Sequence, residues 1–291
     1  MESAMISIQH FFDIATSTLT YVVWDSITND GIVIDPVWNY EAASATLSTE
    51  SIEEIAAFLQ KRQINIHWIL ETHAHADHIS GAQVLKNRYP NAKIAMGERI
   101  TELQIAFKPH FDLQDLDTEG GQFDRLLKNN EIFQAGSIKI KVLFTPGHTP
   151  ACCSYLIEDA VFTGDCLLMP DSGTGRCDFP GGGAETLFTS ISETLFNLPE
   201  TTRVFVGHDY QPGNRDLKFQ CQMSDEKTAN IHLNKNTTRA DYVRFRVERD
   251  SSLKTPRLLL PSIQLNIAAG KLPNPRPDGK HYLIIPLLLK N

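Results

Sequence analysis

The stretch His73-Ala74-His75-Ala76-Asp77-His78 places four potential metal ligands within six residues. It follows the apolar run 64–70, which is typical of a buried strand, and precedes a predicted helix over 80–88. Imidazole and carboxylate groups at the end of such a strand are partly shielded from water, and several of them together stay unpaired unless a cation satisfies them. The stretch therefore predicts a metal site rather than a solvated loop.

Three further polar corners lie downstream, and each contains a glycine. They are Thr145-Pro146-Gly147-His148-Thr149, Phe162-Thr163-Gly164-Asp165 and Val206-Gly207-His208-Asp209-Tyr210. Each corner follows an apolar run that predicts a strand, over 138–142, 160–162 and 203–206. A single histidine or aspartate in such a corner is typical of an ordinary loop. Their order after the histidine-rich stretch favours one shared metal site at the ends of several strands.

The composition is that of a globular protein with an acidic balance. The chain has 291 residues, 42% of them hydrophobic, which is enough to bury a large core. No apolar run approaches the roughly eighteen residues that cross a bilayer, and residues 1–5 lack the basic start of a secretion signal. We therefore expect a cytoplasmic protein with no membrane partner. The net charge of −8 argues against a nucleic-acid partner.

The composition of the chain changes near Gln211. This predicts a core over residues 1–210 and a C-terminal helical region and extension over 211–291, and we expect the two to form one continuous domain. Within that region, the stretch 283–289 is too apolar to lie free in water. It is expected to cover the core or to meet a partner chain in a homodimer.

Hydrophobic spacing predicts two helices in the core. The first spans 51–62, with Ser51 and Glu54 placed as a capping box. The second spans 184–197 and has the same periodicity of apolar residues. Both have one apolar face, so each is expected to pack against a sheet.

The joint order of an HxHxDH stretch, a TPGHT histidine, a TGD aspartate and a late GH histidine resembles the metallo-β-lactamase superfamily across most of the chain. The resemblance implies an α/β fold of the αββα sandwich type. In such a sandwich two mixed β-sheets pack face to face, flanked by helices, and the metal site lies at one edge of the sheets. The predicted strands and amphipathic helices agree with this architecture.

The same residues allow two metal centres. A dinuclear zinc centre would use His73, His75 and His148 for one ion, Asp77, His78 and His208 for the other, and Asp165 as the bridge. A mononuclear Fe(II) centre would use His73, His148 and Asp165 as a two-histidine, one-carboxylate triad with open positions. Residue types leave both centres open, because metal selectivity depends on geometry and availability.

A closer resemblance concerns Gly173-Thr174-Gly175-Arg176-Cys177-Asp178-Phe179, which is similar to the G-x-G-R-x-D-F segment of persulfide dioxygenases, also called sulfur dioxygenases. The stretches 207–210 and 261–273 also resemble bacterial members of that family. The resemblance implies that glutathione persulfide is oxidised by O2 to sulfite and glutathione at one Fe(II) per chain, held by His73, His148 and Asp165. His75, Asp77, His78 and His208 would then surround the ligands without binding a second ion.

Five residues are the remaining candidates for function. Asp77, His208 and Tyr210 are the catalytic candidates, as groups that orient the ligands or bond to bound water or substrate. Arg176 is a candidate for substrate binding because a guanidinium offers paired bonds to a carboxylate and the glycines beside it permit close approach. Tyr210 is a second candidate for contact with substrate. Arg215 is a third, on its position after the His208 corner alone.

Two positions depart from the pattern of persulfide dioxygenases. Thr174 stands where some members carry cysteine, and Ala268 stands where bacterial members often carry arginine. The thiol carrier therefore stays open between glutathione persulfide and another low-molecular-weight persulfide. For Arg176, a structural pair with Asp178 is the alternative to a role in substrate binding.

Two other functions remain as alternatives. A glyoxalase II-like hydroxyacylglutathione hydrolase would use the dinuclear zinc centre to activate water against a thioester. A persulfide sensor or sulfur carrier would instead use Cys152, Cys153 or Cys166, and it requires a reactive thiolate. Adjacent cysteines in a strand are more typical of small apolar packing residues. Five cysteines without secretory context argue against a disulfide framework.

Overall fold

A computed structural model describes residues 5–287 and residue 289. The strands are β1 (Ile6–Asp13), β2 (Thr18–Asp25), β3 (Asp30–Ile34), β4 (Val37–Glu41), β5 (Thr46–Ser48), β6 (Asn65–Leu70), β7 (Ile79–Ser80), β8 (Lys93–Gly97), β9 (Arg125–Leu127), β10 (Ile132–Ala135), β11 (Ile138–Phe144), β12 (Cys153–Ile157), β13 (Ala160–Phe162), β14 (Arg203–Phe205) and β15 (Gln220–Gln222). The α-helices are α1 (Glu50–Arg62), α2 (Ala82–Arg88), α3 (Ile100–His110), α4 (Ala184–Thr189), α5 (Met223–Ala229), α6 (Arg239–Ser251) and α7 (Leu259–Asn266).

Two six-stranded mixed sheets form the centre of the fold. The first has the order β1-β2-β3-β6-β8-β9 and changes from antiparallel to parallel pairing at β3. The second has the order β10-β11-β12-β13-β14-β15, in which only β13 and β14 pair in parallel. A small sheet of β5, β4 and β7 lies beside them. This is the predicted sandwich of two mixed sheets.

Strand β2 shows how the side chains divide between two layers. Tyr21 packs edge-on against Phe162 and Phe205 of the second sheet, with ring centroids 5.2 and 5.5 Å apart. The next residue, Val22, points the other way and shares a core with Ile55 of α1. Because successive side chains of a strand alternate between faces, β2 is buried on both sides. The core therefore has one layer between the sheets and a second between the first sheet and its helices.

Helix α1 differs from the prediction at its start. It begins at Glu50, and its N-cap Thr49 makes no side-chain cap. The predicted capping box of Ser51 and Glu54 is therefore wrong. The reason is tertiary, because Asn39 on β4 accepts a hydrogen bond from the Ser51 N–H at 2.9 Å and satisfies one of the free donors of the first turn.

The other two predicted helices are shorter than expected. Ser80 belongs to β7, so α2 begins only at Ala82. The predicted helix over 184–197 is α-helical as far as Thr189 and continues as a π-helix over Ser190–Leu195. No helix in the described part of the chain has both the length and the apolar character to cross a membrane.

The C-terminal region contacts the core through α6 and α7. On α6, Arg246 is fully buried, pairs with Asp250 at 2.5 Å and donates to the Thr174 carbonyl at 3.2 Å. On α7, Ile263 and Ile267 belong to the core under the first sheet. Helix α6 therefore contacts the segment that follows Asp165, and α7 shares a core with the histidine-rich stretch.

The last residues of the chain differ from the expectation that the apolar tail is covered. Gln264 holds Ile284 by donating to its carbonyl and accepting from its N–H, both at 2.9 Å. Beyond that point Ile285 is 62% exposed and Leu287 is 84% exposed. In a single chain the expected packing is therefore wrong for these two side chains. Leu288 lies outside the described residues, and the homodimer stays a prediction.

A buried carboxyl on α5 makes the stability of the fold depend on pH. Glu226 accepts from Asn230 Nδ2 at 2.7 Å and from Cys221 Sγ at 3.0 Å, and burial raises its pKa to about 8. Between the ordinary carboxyl pKa and about 8, Glu226 is therefore protonated in the folded chain and ionised in the unfolded chain. Stability is greatest below that ordinary pKa and is lost as the pH rises towards about 8.

We predict that Glu226→Gln removes part of this loss. Glutamine keeps the size of the protonated acid without its charge, so the variant should exceed the wild type in free energy of unfolding by a few kcal/mol at pH 9 but not at pH 5, since one pKa unit is about 1.4 kcal/mol. Chemical denaturation at the two pH values measures the difference. The exposed Glu200→Gln is the control, and an equal response of both variants would contradict the prediction.

Candidate metal centre

The four predicted corners meet where the two sheets approach each other. The Leu19 N–H at the start of β2 donates to the Gly207 carbonyl at 2.8 Å, so the first sheet is joined to the His208 corner of the second. Thr18 and His208 form an isolated bridge at the same place. The loop after β6 brings the histidine-rich stretch to this junction, as the sequence order predicts.

His73, His148 and Asp165 form a group that we call the first ligand group. His73 Nε2 lies 3.9 Å and His148 Nε2 lies 3.6 Å from Asp165 Oδ2. All three side chains are buried. An ion bound at about 2.1 Å from each ligand sets the ligand atoms roughly 3 to 3.5 Å apart. One ion therefore fits if the three side chains move slightly closer together.

Hydrogen bonds fix the two histidines of the first ligand group with Nε2 facing Asp165. His148 Nδ1 donates to the Arg176 carbonyl at 2.7 Å. His73 Nδ1 lies 3.0 Å from Thr72 Oγ1, and that hydroxyl donates to Asp35 Oδ2 at 2.7 Å, so His73 is the donor to Thr72. Such partners on the far nitrogen hold a ligand ring in position and leave the other nitrogen free for a metal.

The unpaired atoms of the first ligand group fit a metal ion. Within the described part of the chain, His73 Nε2 and Asp165 Oδ1 have no hydrogen-bond partner although both are buried. Burial, followed by the charges of the neighbouring histidines, lowers the pKa of His73 well below its usual value. The imidazole is therefore neutral, which is the form that binds metals.

His75, Asp77, His78 and His208 form the second ligand group. His208 Nε2 lies 3.2 Å from Asp77 Oδ2 and 3.3 Å from Asp165 Oδ1, so the Asp165 carboxylate faces both groups. His78 Nε2 also has no hydrogen-bond partner among the described residues. The second group therefore has the donors for a further ion, with Asp165 in the bridging position.

His75 is turned towards two acids that sequence reasoning missed. Its Nε2 lies 3.1 Å from Asp35 Oδ1 and 3.3 Å from Glu71 Oε2. Burial alone would lower the pKa of His75, but the two acids outweigh it and raise the pKa well above its usual value. Asp35 ends the apolar strand β3 directly before a proline, which is the signal that marks it in the sequence. His75 is thus absent from the first ligand group, which has three protein ligands.

A cavity of about 350 Å³ opens beside the first ligand group. Its walls include Asp77, Asp165 and Tyr210, and the ring of Tyr210 stacks on His208 with centroids 5.5 Å apart. Tyr210 is 57% exposed, so its hydroxyl is open to a bound molecule. The structure therefore brings the three catalytic candidates, Asp77, His208 and Tyr210, to one place.

The two arginines predicted to bind substrate, Arg176 and Arg215, are both engaged in ion pairs. Arg176 lines the cavity, but its Nε and Nη2 both donate to Asp178 at 2.6 Å and its Nη1 donates to the Lys254 carbonyl. Its paired donors are therefore already used, as in the structural alternative. Arg215 does not line the cavity, because it is held between Asp171 and Asp209.

Arg249, one of the arginines that give the stretch after Thr237 a positive charge and could serve an anionic substrate, also lies in the cavity wall. It lies on α6, and its charged contact is with Asp250 at 3.9 Å, beyond hydrogen-bonding distance. Arg246, Arg249 and Leu253 have helical spacing, which predicts that they lie along one side of a helix. This spacing is the feature of the sequence that indicates their shared location. Arg249 is therefore better placed than Arg176 to meet an anion.

The cysteines lie away from any electropositive opening. Cys152, Cys153 and Cys166 are buried. Burial raises the pKa of Cys152 and of Cys153 to about 12, and it raises the pKa of Cys166 well above its usual value. These thiols stay protonated at neutral pH, which disfavours a sensor or carrier that needs a thiolate.

Fold and site together define a metal-binding enzyme of the αββα sandwich class. The sequence pattern of the metallo-beta-lactamase superfamily matches residues 14–208. The chain belongs to that superfamily, which confirms the predicted fold.

Similar proteins carry glyoxylase, hydrolase-like and persulfide dioxygenase names. The chain is 45% identical over 282 residues to Glyoxylase B2 of Dictyostelium discoideum, covering 96% of both chains. It is 26% identical over 253 residues to the mitochondrial persulfide dioxygenase ETHE1 of Homo sapiens, covering 84% of this chain and 87% of that one. The crystal structure of ETHE1 from Myxococcus xanthus superposes with a TM-score of 0.73 at 27% identity, over 91% of this chain and 100% of that chain.

We predict that Asp165→Asn abolishes stable metal binding. The amide keeps the shape of the side chain but leaves neutral ligands facing a dication. Metal content after dialysis, measured by elemental analysis, should fall to a small fraction of the wild-type value. Asp178→Asn, which alters a paired acid of the same cavity, should keep its metal. Equal metal content in wild type and Asp165→Asn would contradict the assignment.

Proposed function

We propose that the chain is an Fe(II)-dependent persulfide dioxygenase, which oxidises glutathione persulfide or another low-molecular-weight persulfide with O2. The terminal sulfur loses the electrons that O2 gains, both atoms of O2 and the oxygen of a water enter sulfite, and the thiol is released. The observation that carries the proposal is the first ligand group. It has three protein ligands because His75 faces Asp35 and Glu71, with Nε2 3.1 and 3.3 Å from their oxygens.

Two histidines and one carboxylate are the ligand set typical of non-haem Fe(II) oxygenases. Bound there, Fe(II) supplies open positions for a soft sulfur and for O2 together. The chain supplies two imidazoles whose orientation is fixed by the hydrogen bonds of His73 to Thr72 and of His148 to the Arg176 carbonyl. The similarity to persulfide dioxygenases supports the proposal at 26 to 27% identity.

In this proposal the residues around the ligands act on the substrate. His208 and Asp77, whose Nε2 and Oδ2 lie 3.2 Å apart beside Asp165, act as an acid and base pair and orient bound water. Tyr210 donates from the cavity wall to the substrate. Arg249 receives a carboxylate of the thiol carrier, because its guanidinium is the less engaged of the two arginines in the wall.

A second function is favoured by the second ligand group. Two zinc ions, one in each group, with Asp165 between them, would suit a glyoxalase II-like hydrolase of hydroxyacylglutathione. The similarity to Glyoxylase B2 at 45% identity supports this alternative. The two functions share a glutathione-bearing substrate and differ in the number of ions and in the reaction.

Metal content and oxygen uptake, measured on one preparation, distinguish the two functions. We predict that anaerobically purified protein holds about one iron per chain and takes up O2 when glutathione persulfide is added. Removing the iron with a chelator should abolish the uptake, and Fe(II) should restore it. Elemental analysis and an oxygen electrode give both quantities. Two zinc ions per chain, with hydrolysis of a glutathione thioester and no oxygen uptake, would support the hydrolase instead.

We predict that Arg249→Met raises the KM for glutathione persulfide roughly ten- to hundredfold with unchanged iron content. A hydrogen-bonded charge pair contributes about 1.5 to 3 kcal/mol, and methionine keeps the length of the side chain without the charge. Steady-state oxygen uptake measures the KM.

Two variants serve as comparisons. Arg244→Met changes an arginine on the same helix that is 73% exposed, and its KM should match the wild type. Arg176→Met should lower the melting temperature and keep the KM, because it breaks the pair with Asp178. A raised KM in a stable Arg176→Met protein, with Arg249→Met unchanged, would return the substrate contact to Arg176.

A further inference from the structure

A residue of the C-terminal region is built into the histidine-rich loop. Asn266, the last residue of α7, is 4% exposed. Its Nδ2 donates to the carbonyls of His75 and His78, each at 2.8 Å, across 191 and 188 residues of chain. Its Oδ1 accepts from the Ser80 N–H at 2.8 Å. Both amide donors and the acceptor of one side chain are therefore used on the backbone that carries the ligands.

These contacts satisfy backbone groups that would otherwise be unpaired. Ser80 lies at the end of the loop, and its hydroxyl donates to Glu71 Oε1 at 2.5 Å. A buried carbonyl that loses its partner destabilises its local conformation, so the loop depends on an amide at this point. Gly270 approaches the Ser80 carbonyl so closely that a Cβ there would lie 2.7 Å from it. The turn after α7 is thus shaped to the loop.

Asn266 also lies outside the part of the chain that defines the superfamily. The superfamily match ends at residue 208, whereas the contacts run from residue 266 to residues 75–80. His75 is the residue whose orientation towards Asp35 leaves three ligands in the first group. The loop geometry behind the metal site is therefore held partly by the C-terminal region.

We propose that Asn266 is a positioning residue for the metal site, through which the C-terminal region controls metal affinity. It acts on the backbone of the His73–His78 loop and contacts neither ion nor substrate. The proposal rests on metal binding by the first ligand group and so extends the proposed function. Residues that orient metal ligands in this way typically change metal affinity ten- to hundredfold when they are replaced.

The test uses Co2+, whose visible spectrum reports the ligand geometry without any reaction. The full-length Asn266→Asp protein keeps the size of the side chain but loses both N–H donors and sets a charge against two carbonyls. We expect its Co2+ affinity, measured by competition with a chelator, to fall ten- to hundredfold and its absorption spectrum to change. Wild-type affinity and spectrum in a folded Asn266→Asp protein would overturn the proposal.

Gln104→Met is the matched control for a purely structural effect. Gln104 is fully buried and donates to the Ile267 carbonyl at 2.8 Å, so its loss loosens the same end of α7 without touching the histidine-rich loop. Its melting temperature should fall while its Co2+ affinity and spectrum stay at the wild-type values. An equal loss of affinity in Gln104→Met would show that Asn266 acts only through stability, which would also overturn the proposal.

If Asn266→Asp does not fold, Asn266→Ser gives a milder loss of the same donors. Its affinity should lie between those of the wild type and the aspartate variant, and a wild-type value in folded Asn266→Ser would overturn the proposal. Oxygen uptake by iron-loaded wild type is measured separately. Absence of uptake would refute the dioxygenase alone, because the Co2+ titration does not depend on any reaction.

Discussion

The shared carboxylate of Asp165 is the interaction on which the arrangement of the site depends. One oxygen faces His73 and His148, and the other faces His208. A buried carboxylate and several buried imidazoles leave polar atoms unpaired unless a cation joins them. The loops of both sheets must therefore meet at this point. Gly164 shows how tightly they meet, because a Cβ there would lie 2.4 Å from Thr72 Oγ1 and its φ is +51°.

The orientation of His75 links this geometry to the chemistry. Turned towards Asp35 and Glu71, it leaves the first ligand group with three protein ligands. Turned towards that group, it would add a ligand and favour a second ion beside it. The chain is similar both to a glyoxylase and to persulfide dioxygenases. The orientation of His75 therefore separates the two metal centres that the candidate ligands allow.

The C-terminal region contributes to the site from two sides. Helix α6 carries Arg249 in the cavity wall, and buried Arg246 beside it supports the Thr174 carbonyl. Helix α7 contacts the backbone of the histidine-rich loop through Asn266. Both helices lie beyond residue 208, where the superfamily match ends. The cavity wall and the loop geometry thus depend partly on two helices that lie beyond the superfamily match.

The sequence by itself determined the candidate ligand residues and the strands that carry them, and its resemblance to the metallo-β-lactamase superfamily predicted the two mixed sheets. Ligand types at the ends of apolar runs and strict strand periodicity are local properties, and they can be read along the chain. Only the tertiary structure decided that Arg176 pairs with Asp178, that Arg249 lines the cavity and that His75 faces Asp35. It also replaced the predicted cap of α1 by Asn39. These outcomes depend on which donor or acid from a distant segment comes closest, and spacing along the chain carries no information about that distance.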